Sequence, residues 1–368
     1  MTHPRKRIDR AFLLATILLV IVGFFIFSSA SLGLLARGKV QFSTVAVSQL
    51  LFGVGGGMIA LATMANIHYR RYRAWAPYLF GAALVLTLLV FVPVLGYEAH
   101  GARRWLNVFN HSFQPSELLK ITSVLCLAWY YSKYHRRLHD VRYALSGYFA
   151  LLVLVGVPLL LQPDTGTFII IAAAGLAMTV AAGVRVRYLL FLAGLLAVGL
   201  LTLAVARPYL LDRVMTFVNP SADPTGAGYQ IKQSLIAVGS GSWFGRGFGQ
   251  SVQKFSYLPE PIGDSIFSVA AEEFGFIGSV VIISLFMFFA VRGLAIGARI
   301  PDRFGGLVVV GLVILLVTQS FMNIGSMLGL MPLTGEPLTF MSHGGTSLLL
   351  ALAGVGIVLN ISRYRSAH

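Results

Sequence analysis

Ten apolar runs punctuate the chain, near residues 11–36, 44–67, 76–97, 115–132, 144–161, 166–183, 188–206, 266–291, 304–326 and 342–361. Each has about the 20 residues a helix needs to cross the hydrocarbon core of a bilayer. A backbone in lipid has no water to bond, so these runs predict helices and not open sheet. The polar joints between them are short, with one exception. Residues 207–264, between the seventh and eighth runs, are rich in Gly, Pro, Ser and polar side chains. A connection that long inside a compact domain is usually functional or disordered. Within it, Ile231, Leu235, Ile236 and Val238 have the spacing of a short amphipathic helix lying at an interface. No repeat of fixed period and no low-complexity linker interrupts the pattern. The expectation is a single all-α polytopic membrane domain over 1–368, with ten transmembrane helices and a large outer loop at 207–264 between helices 7 and 8.

Composition agrees with the pattern. Of 368 residues, 57% are hydrophobic and 11% charged, where a soluble domain carries about 25% charged residues. The first run follows "MTHPRKRIDR" and continues past twenty residues with no clean small-residue cleavage pattern, so it reads as a retained first helix and not a signal peptide. Cys126 is the only cysteine, which excludes disulfides and cysteine-based metal sites within the chain.

The formal charge of +15 would suggest a nucleic-acid partner, but its placement says otherwise. With the N-terminus in the cytoplasm, ten helices put one set of basic residues inside. These are Arg5, Lys6, Arg7 and Arg10; Arg70, Arg71 and Arg73; Lys133, Arg136, Arg137 and Arg142; Arg185 and Arg187; Arg292, Arg299 and Arg303; Arg363 and Arg365. Only Asp9, Asp140 and Asp302 oppose them, and the rest of the chain is neutral in sum. The surplus is the positive-inside signal of a membrane protein with both termini cytoplasmic, and no nucleic acid is implied.

The remaining acids and cations carry the candidate chemistry. "YLPEPIGDSIFSVAAEEFG" (257–275) sets Asp264 at the mouth of the eighth run and Glu272 with Glu273 inside it. Ionisable groups in membrane segments are costly and therefore functional candidates. Asp264 falls at the water–lipid boundary, within reach of water and of a lipid headgroup; capping the eighth helix is its alternative role. Glu272 and Glu273 lie deeper, on faces about 100° apart, so at least one needs a partner inside the bundle. Structure or cavity lining is their expected part.

The joint "EAHGARRWLNVFNHSFQPSELLK" brings Arg103 and Arg104 to the outer side, as anion ligands or as interfacial anchors beside Trp105. Glu117 and Lys120 share a helix face and pair, as glue or as the lining of a polar cavity. In "QPDTGT" (162–167), Gln162 and Asp164 flank a turn, and Asp164 suits the cap of the sixth helix. The long loop adds Arg213, Lys232, Arg246 and Lys254 among glycines whose bare backbone can approach a phosphate or simply flex. The last outer joint, "GLMPLTGEPLTFMSHGGTSLLL", holds Ser342 and His343, and one histidine without clustered partners is weak ground for a metal. No G-x-x-x-x-G-K-[ST], HExxH or GxSxG occurs, so ATP chemistry is unsupported. A boundary carboxylate, several cations and apolar helix walls suit a lipid whose head carries phosphates and brings its own leaving group.

Taken in order, "GARRWL…FQPSELLK", "QPDTGT", "GYQIKQSLIAVGSGSWFGRGFGQSVQKFSYLPEPIGDSIFSVAAEEFGFIG" and "MPLTGEPLTFMSHGGTSL" resemble the SEDS family (shape, elongation, division and sporulation) of FtsW/RodA type, over essentially the whole chain. The resemblance leans to the FtsW side. It implies a peptidoglycan glycosyltransferase of the cytoplasmic (inner) membrane, polymerising lipid II beside a transpeptidase of the class B penicillin-binding type. By motif, Asp264 matches the family's essential acid before the eighth helix, as general base or as holder of a divalent cation (Mg or Mn); no other cofactor is implied. Arg103, Arg104, Lys232, Arg246 and Lys254 are the candidates for the pyrophosphate of lipid II and of the growing undecaprenyl-pyrophosphate-linked glycan. Glu117 and Lys120 match the charged pair of the fourth helix, and Gln162, Asp164, Glu272, Glu273, Ser342 and His343 fall inside the matching blocks. The chain departs from the family at Glu336, Thr339 and His343, where an apolar residue, proline and tyrosine are usual.

Two rival classes fit the same composition. A flippase for lipid-linked precursors would run Glu117, Lys120, Glu272 and Glu273 as a polar track, yet few polar groups continue it through the inner half. A non-catalytic scaffold for a transpeptidase would tolerate neutralising Asp264.

Overall fold

The computed structural model describes residues 7–37, 42–99, 102–108, 111–206 and 208–366; Arg5 and Lys6, counted above among the inner cations, lie outside them, as does residue 207 at the start of the long loop. Each of the ten apolar runs holds a helix. They are α1 (Arg10–Arg37), α2 (Phe42–Ser48) leading through a π-helical stretch (Gln49–Gly55) into α3 (Gly56–Asn66), α4 (Tyr69–Leu89), α5 (Pro115–Lys133), α6 (Val141–Leu161), α7 (Thr165–Ala181), α8 (Val186–Ala206), α12 (Ile266–Ala298), α13 (Arg303–Met327) and α14 (Gly345–Ser362). Among the described residues, seven helical spans are long and apolar enough to cross a membrane. The segment between α8 and α12 is largely helical itself, with α9 (Pro208–Val218), α10 (Ala227–Ser240) and α11 (Gln253–Ser256). α10 buries Ile231, Ser234 and Ala237 and exposes Lys232, Leu235 and Ile236, so of the apolar positions expected to share its face only Ile231 is buried.

Two expectations need correction. The chain is not all-α: β1 (Gly96–Ala99), β2 (Ala102–Val108) and β3 (His111–Phe113) form an antiparallel sheet in the order β1-β2-β3. Tyr97 faces Trp105 and Glu98 faces Arg103 across β1 and β2, and facing aromatic and opposite-charge pairs of this kind stabilise a ladder. The helix expected over 76–97 instead runs from Tyr69 to Leu89. His68 caps its start by accepting the Arg70 N–H. Tyr69, Tyr72 and Ala76 form a buried stripe, so the cations Arg70, Arg71 and Arg73 mask two turns of real helix from a hydropathy reading.

α13 is the hub, packing against α5, α7, α12 and α14, while α14 lies along α3. At one end of the bundle Asp9, ahead of α1, meets Arg292 and Arg365. Arg292 Nη2 of α12 lies 2.7 Å from Asp9 Oδ2, and Arg365 bonds the same carboxylate. The sheet, α10 and α11 occupy the opposite end.

α12 is broken at Gly275, whose φ of 67° and ψ of −163° are not helical. A left-handed φ of this kind suits glycine, and a break in an apolar helix strands backbone groups that must find partners elsewhere. They find them in the turn after α10. Phe276 N–H donates to Ser242 O (2.8 Å) and Ile277 N–H to Trp243 O (3.2 Å), while Glu272 O and Glu273 O accept from Arg246 and Gly247 N–H, both at 3.0 Å. The 242–247 backbone is thus inserted into the helix.

Candidate active site

Two acid clusters build the sheet end. In the first, Glu272 and Glu273 enter the bundle just before the α12 break, and both are buried. Glu272 accepts from Ser251 Oγ (2.5 Å), Val252 N–H (3.1 Å) and Gln253 N–H (3.2 Å), with Arg246 Nε at 3.5 Å. Glu273 Oε1 accepts from Ser29 Oγ of α1 (2.6 Å) and from Lys254 Nζ (2.7 Å). These carboxylates hold the 242–254 segment against α12. Lys254 was expected as an outer cation for phosphate; it is fully buried and its ammonium is held by Glu273 and Ser29. A lysine in a glycine-rich loop looks exposed in sequence, and nothing local announces partners 19 residues ahead and 225 behind.

The second cluster centres on Lys120. Its ammonium reaches Glu117 Oε1 (2.9 Å) one turn back on α5, Gln319 Oε1 (2.7 Å) on α13 and Glu336 Oε2 (3.8 Å) in the connection between α13 and α14. Thr167 Oγ1 donates to Glu336 Oε1 at 2.9 Å. Asp164 caps α7 by accepting Thr167 N–H (3.3 Å) and also accepts Ser116 Oγ (3.1 Å). All of these side chains are buried. Gly166 makes the fit: a Cβ there would stand 2.6 Å from Glu336 Cγ. Burial pushes Glu336 up to about 8, with Asp164 and Glu117 adding to the shift and Lys120 opposing it. Glu336 and Gln319 were not among the expected site residues. Their only sequence signal is an acid in "TGEPL" and an amide in an apolar run.

Asp264 stands beside this cluster, half-buried. Ser265, not Asp264, occupies the N-cap position of α12, and no side-chain capping bond is made there. The turn carrying Asp264 is clamped from three sides. Gln230 Nε2 of α10 donates to Ser265 Oγ (3.0 Å). Ser342 Oγ donates to Gly263 O (2.7 Å) and His343 N–H to Ile262 O (2.7 Å). Asn323 Nδ2 of α13 donates to both Asp264 O and Glu336 O, each at 2.8 Å. Asn323 lies one turn beyond Gln319 on the same helix face, so α13 joins the lysine cluster to the aspartate turn. Gly335 presses close, its Cβ position 3.6 Å from Asp264 Oδ2. His343 stacks on Phe27 (centroids 5.8 Å apart), and burial holds its imidazole below the usual range.

The expected cations are dispersed. Arg103 pairs with Glu98 on the exposed sheet at 3.0 Å. Arg104 bonds Gln162 O and Pro163 O, while Gln162 Nε2 holds Thr87 O at 2.7 Å, so both build the turn before α7. Arg246 pairs with Glu272 and remains 44% exposed. Lys232 sits two residues after Gln230, about 200° around α10, and so on the face away from Asp264. Arg213 of α9 comes close to that turn, donating to Thr334 O (3.3 Å), next to Gly335.

Among the described residues no group of three or more His, Cys, Asp or Glu side chains is placed to hold a metal ion. The acids of the lysine cluster bond Lys120, Thr167 and Ser116.

A family model described as cell cycle protein, covering FtsW, RodA and SpoVE, matches residues 9–367. Stage V sporulation protein E of Bacillus subtilis (strain 168) is 36% identical over 364 residues, 99% of each chain. A probable peptidoglycan glycosyltransferase FtsW of Geobacter sp. (strain M18) is 39% identical over 316 residues, 84% of this chain and 85% of that one. Among solved structures, a chain described under structural coordination of polymerization and crosslinking by a peptidoglycan synthase complex superposes with a TM-score of 0.79 at 28% identity, over 97% of this chain and 98% of that one. The rod shape determining protein RodA of Thermus thermophilus superposes with a TM-score of 0.70 at 27% identity, over 98% of each.

Proposed function

The chain belongs to the FtsW/RodA/SpoVE family of cell cycle proteins, and from that premise we propose that it is a peptidoglycan glycosyltransferase whose catalytic carboxylate is Asp264. The observation that carries the assignment is the clamped turn at 262–265, which holds a half-buried carboxylate beside the Lys120 cluster while Ser265 takes the N-cap position of α12. Holding a catalytic group in place through its neighbours lowers the cost of reaching the reactive geometry.

The substrate is lipid II, and the reaction faces the outer side of the cytoplasmic membrane. The ten helices span the bilayer with both termini inside, and the α9–α11 segment lies on the outer surface. Asp264 takes the proton from a sugar C4 hydroxyl as general base. The oxygen attacks the anomeric carbon of the donor chain, the new O4–C1 bond forms, and the C1–O bond to pyrophosphate breaks with its electron pair leaving on the pyrophosphate. Attack opposite the leaving group turns an α-linked donor into a β-linked polymer. Arg213, held at Thr334 O beside Gly335, offsets charge developing on the pyrophosphate. Arg103, Lys232 and Arg246 steer the anionic head from further out, and the lipid tail follows apolar helix faces. No metal is assigned a step. A transpeptidase of the class B penicillin-binding type is the partner, in keeping with the match to a synthase complex that joins polymerization to crosslinking.

The test is polymerisation of purified lipid II by wild type and by Asp264→Asn with its partner present. Product from wild type and none from a folded, donor-binding Asn variant supports the assignment. Equal product from both removes Asp264 from the chemistry, and no product from either returns the flippase and scaffold readings.

A further inference from the structure

At the end of the bundle opposite Asp264, the last turns of α5, α7 and α12 and the first turn of α13 leave two adjoining hollows. The larger, about 620 Å³, is walled by apolar or small residues including Ala177, Ala181, Leu294, Gly297 and Val310. The smaller, about 490 Å³, gathers His135, Arg136, His139 and Arg303. Leu138, Ala182, Gly183 and Arg303 line both, so an apolar groove runs into a basic mouth.

The charges of that mouth are not balanced from within. Asp302 lines the groove, but its carboxylate accepts the Gly305 N–H at 3.0 Å as the cap of α13. Asp140 is occupied in the same way by the Arg142 N–H. Arg137 turns aside to Tyr143, 2.9 Å from its hydroxyl. Arg136 and Arg303 are both exposed, and neither makes an ion pair with another described residue. Two guanidinium groups beside a mostly apolar groove present forks that match a phosphate, next to space that matches a hydrocarbon chain. Basic pockets between membrane helices take anionic headgroups on this physical ground.

We infer that the paired hollow is a binding site for one anionic phospholipid of the surrounding leaflet, with its phosphate between Arg136 and Arg303 and an acyl chain along the groove walled by Ala177 and Val310. The site requires only that the chain lie in a bilayer; the proposed orientation decides that the leaflet is the inner one. The lipid would tie α5 and α7 to α12 and α13 at the end where no loop bridges them, far from the turn that carries the chemistry.

Native mass spectrometry of the delipidated full chain in detergent tests this, with dioleoyl phosphatidylglycerol and dioleoyl phosphatidylcholine as probes and no polymerisation readout. Wild type is expected to retain one phosphatidylglycerol with at least about a tenfold preference over phosphatidylcholine, which corresponds to about 1.4 kcal/mol. Arg136→Ser with Arg303→Ser should bring the two lipids to parity, and Arg136→Lys with Arg303→Lys should keep most of the preference. Ala177→Phe should fill the groove and lower lipid retention without changing the binding of inorganic phosphate. Three results would each overturn the inference. They are no preference in wild type, an unchanged preference in the double Ser variant, and phosphate competing fully while Ala177→Phe has no effect, which would leave a plain anion site. If the Ser variant fails to fold, the Lys and Phe variants still decide. None of these outcomes bears on whether Asp264 is catalytic.

Discussion

The Glu272–Glu273 anchor and the Lys120 cluster use the same residue types to opposite ends. In the anchor, two glutamates meet Lys254 and Arg246, and Glu272 is further bonded by Ser251 and two backbone N–H groups. Two acids meet two cations there, although Glu273 Oε2 is buried without a hydrogen-bond partner, and a buried acid paired in this way serves as architecture. Around Lys120, three carboxylates (Glu117, Asp164 and Glu336) face one ammonium. Balance there needs protons, and Glu336 holds its own to about 8. A cluster short of cations stays responsive to its surroundings, and this one shares Asn323 with the backbone of Asp264. Buried acidity alone does not distinguish the two regions; the arithmetic of charge around it does.

The largest effects should fall on opposite properties of the two regions. Asp264→Asn should lower lipid II polymerisation by about 10²–10⁴-fold, the usual worth of a general base, while thermal unfolding in detergent stays unchanged. Lys254→Met should do the reverse at the level of the fold. It strands Glu273 and should destabilise the protein by about 3–5 kcal/mol, and pairing it with Glu273→Leu should restore most of that loss because both charges are then gone. If Lys254→Met unfolds as wild type does but fails to polymerise, the anchor belongs to the site after all.

Glu336→Gln gives a smaller and pH-dependent difference. The unfolded chain releases this proton near the ordinary value of 4.5 and the folded one near 8, so the native state binds more protons between them and wild-type stability falls as pH rises through that window. The Gln variant should lack this slope. Its advantage in unfolding temperature over wild type should grow from pH 5 to pH 8 and then level off; a constant gap would show that Glu336 does not titrate there. The smallest effect is expected at Lys232→Ala, which should leave stability within about 0.5 kcal/mol and raise the apparent KM for lipid II severalfold without lowering kcat. A drop in kcat instead would place Lys232 nearer the reacting centre than its helix face implies.

Hydropathy alone marked a stretch of helix in each of the ten apolar runs, because a backbone in lipid must bond within itself. It misplaced α4, whose first two turns interleave Arg70, Arg71 and Arg73 with a buried stripe, and it missed a sheet whose longest strand, β2, is seven residues. The Glu117–Lys120 pair was legible because acids and cations are rare in such a chain and these two stand three residues apart. Lys254, Arg213 and Glu336 were misread or passed over for one physical reason. Their partners are Ser29 and Glu273, Thr334, and Lys120 with Thr167, all distant in sequence and brought near only by packing.

The break in α12 also has a consequence for the order in which the protein is made. Chains emerge from the ribosome N-terminal end first, and every partner that Glu272 and Glu273 need, from Ser29 to Lys254, precedes them in sequence. When the eighth apolar run leaves the translocation machinery its two acids can dock at once on residues already delivered. Lys120 meets Glu117 at synthesis but must wait more than two hundred residues for Glu336. The scaffold is therefore assembled before the last member of the responsive cluster arrives, and the Asp264 turn takes its final shape only when the connection ahead of α14 closes over it.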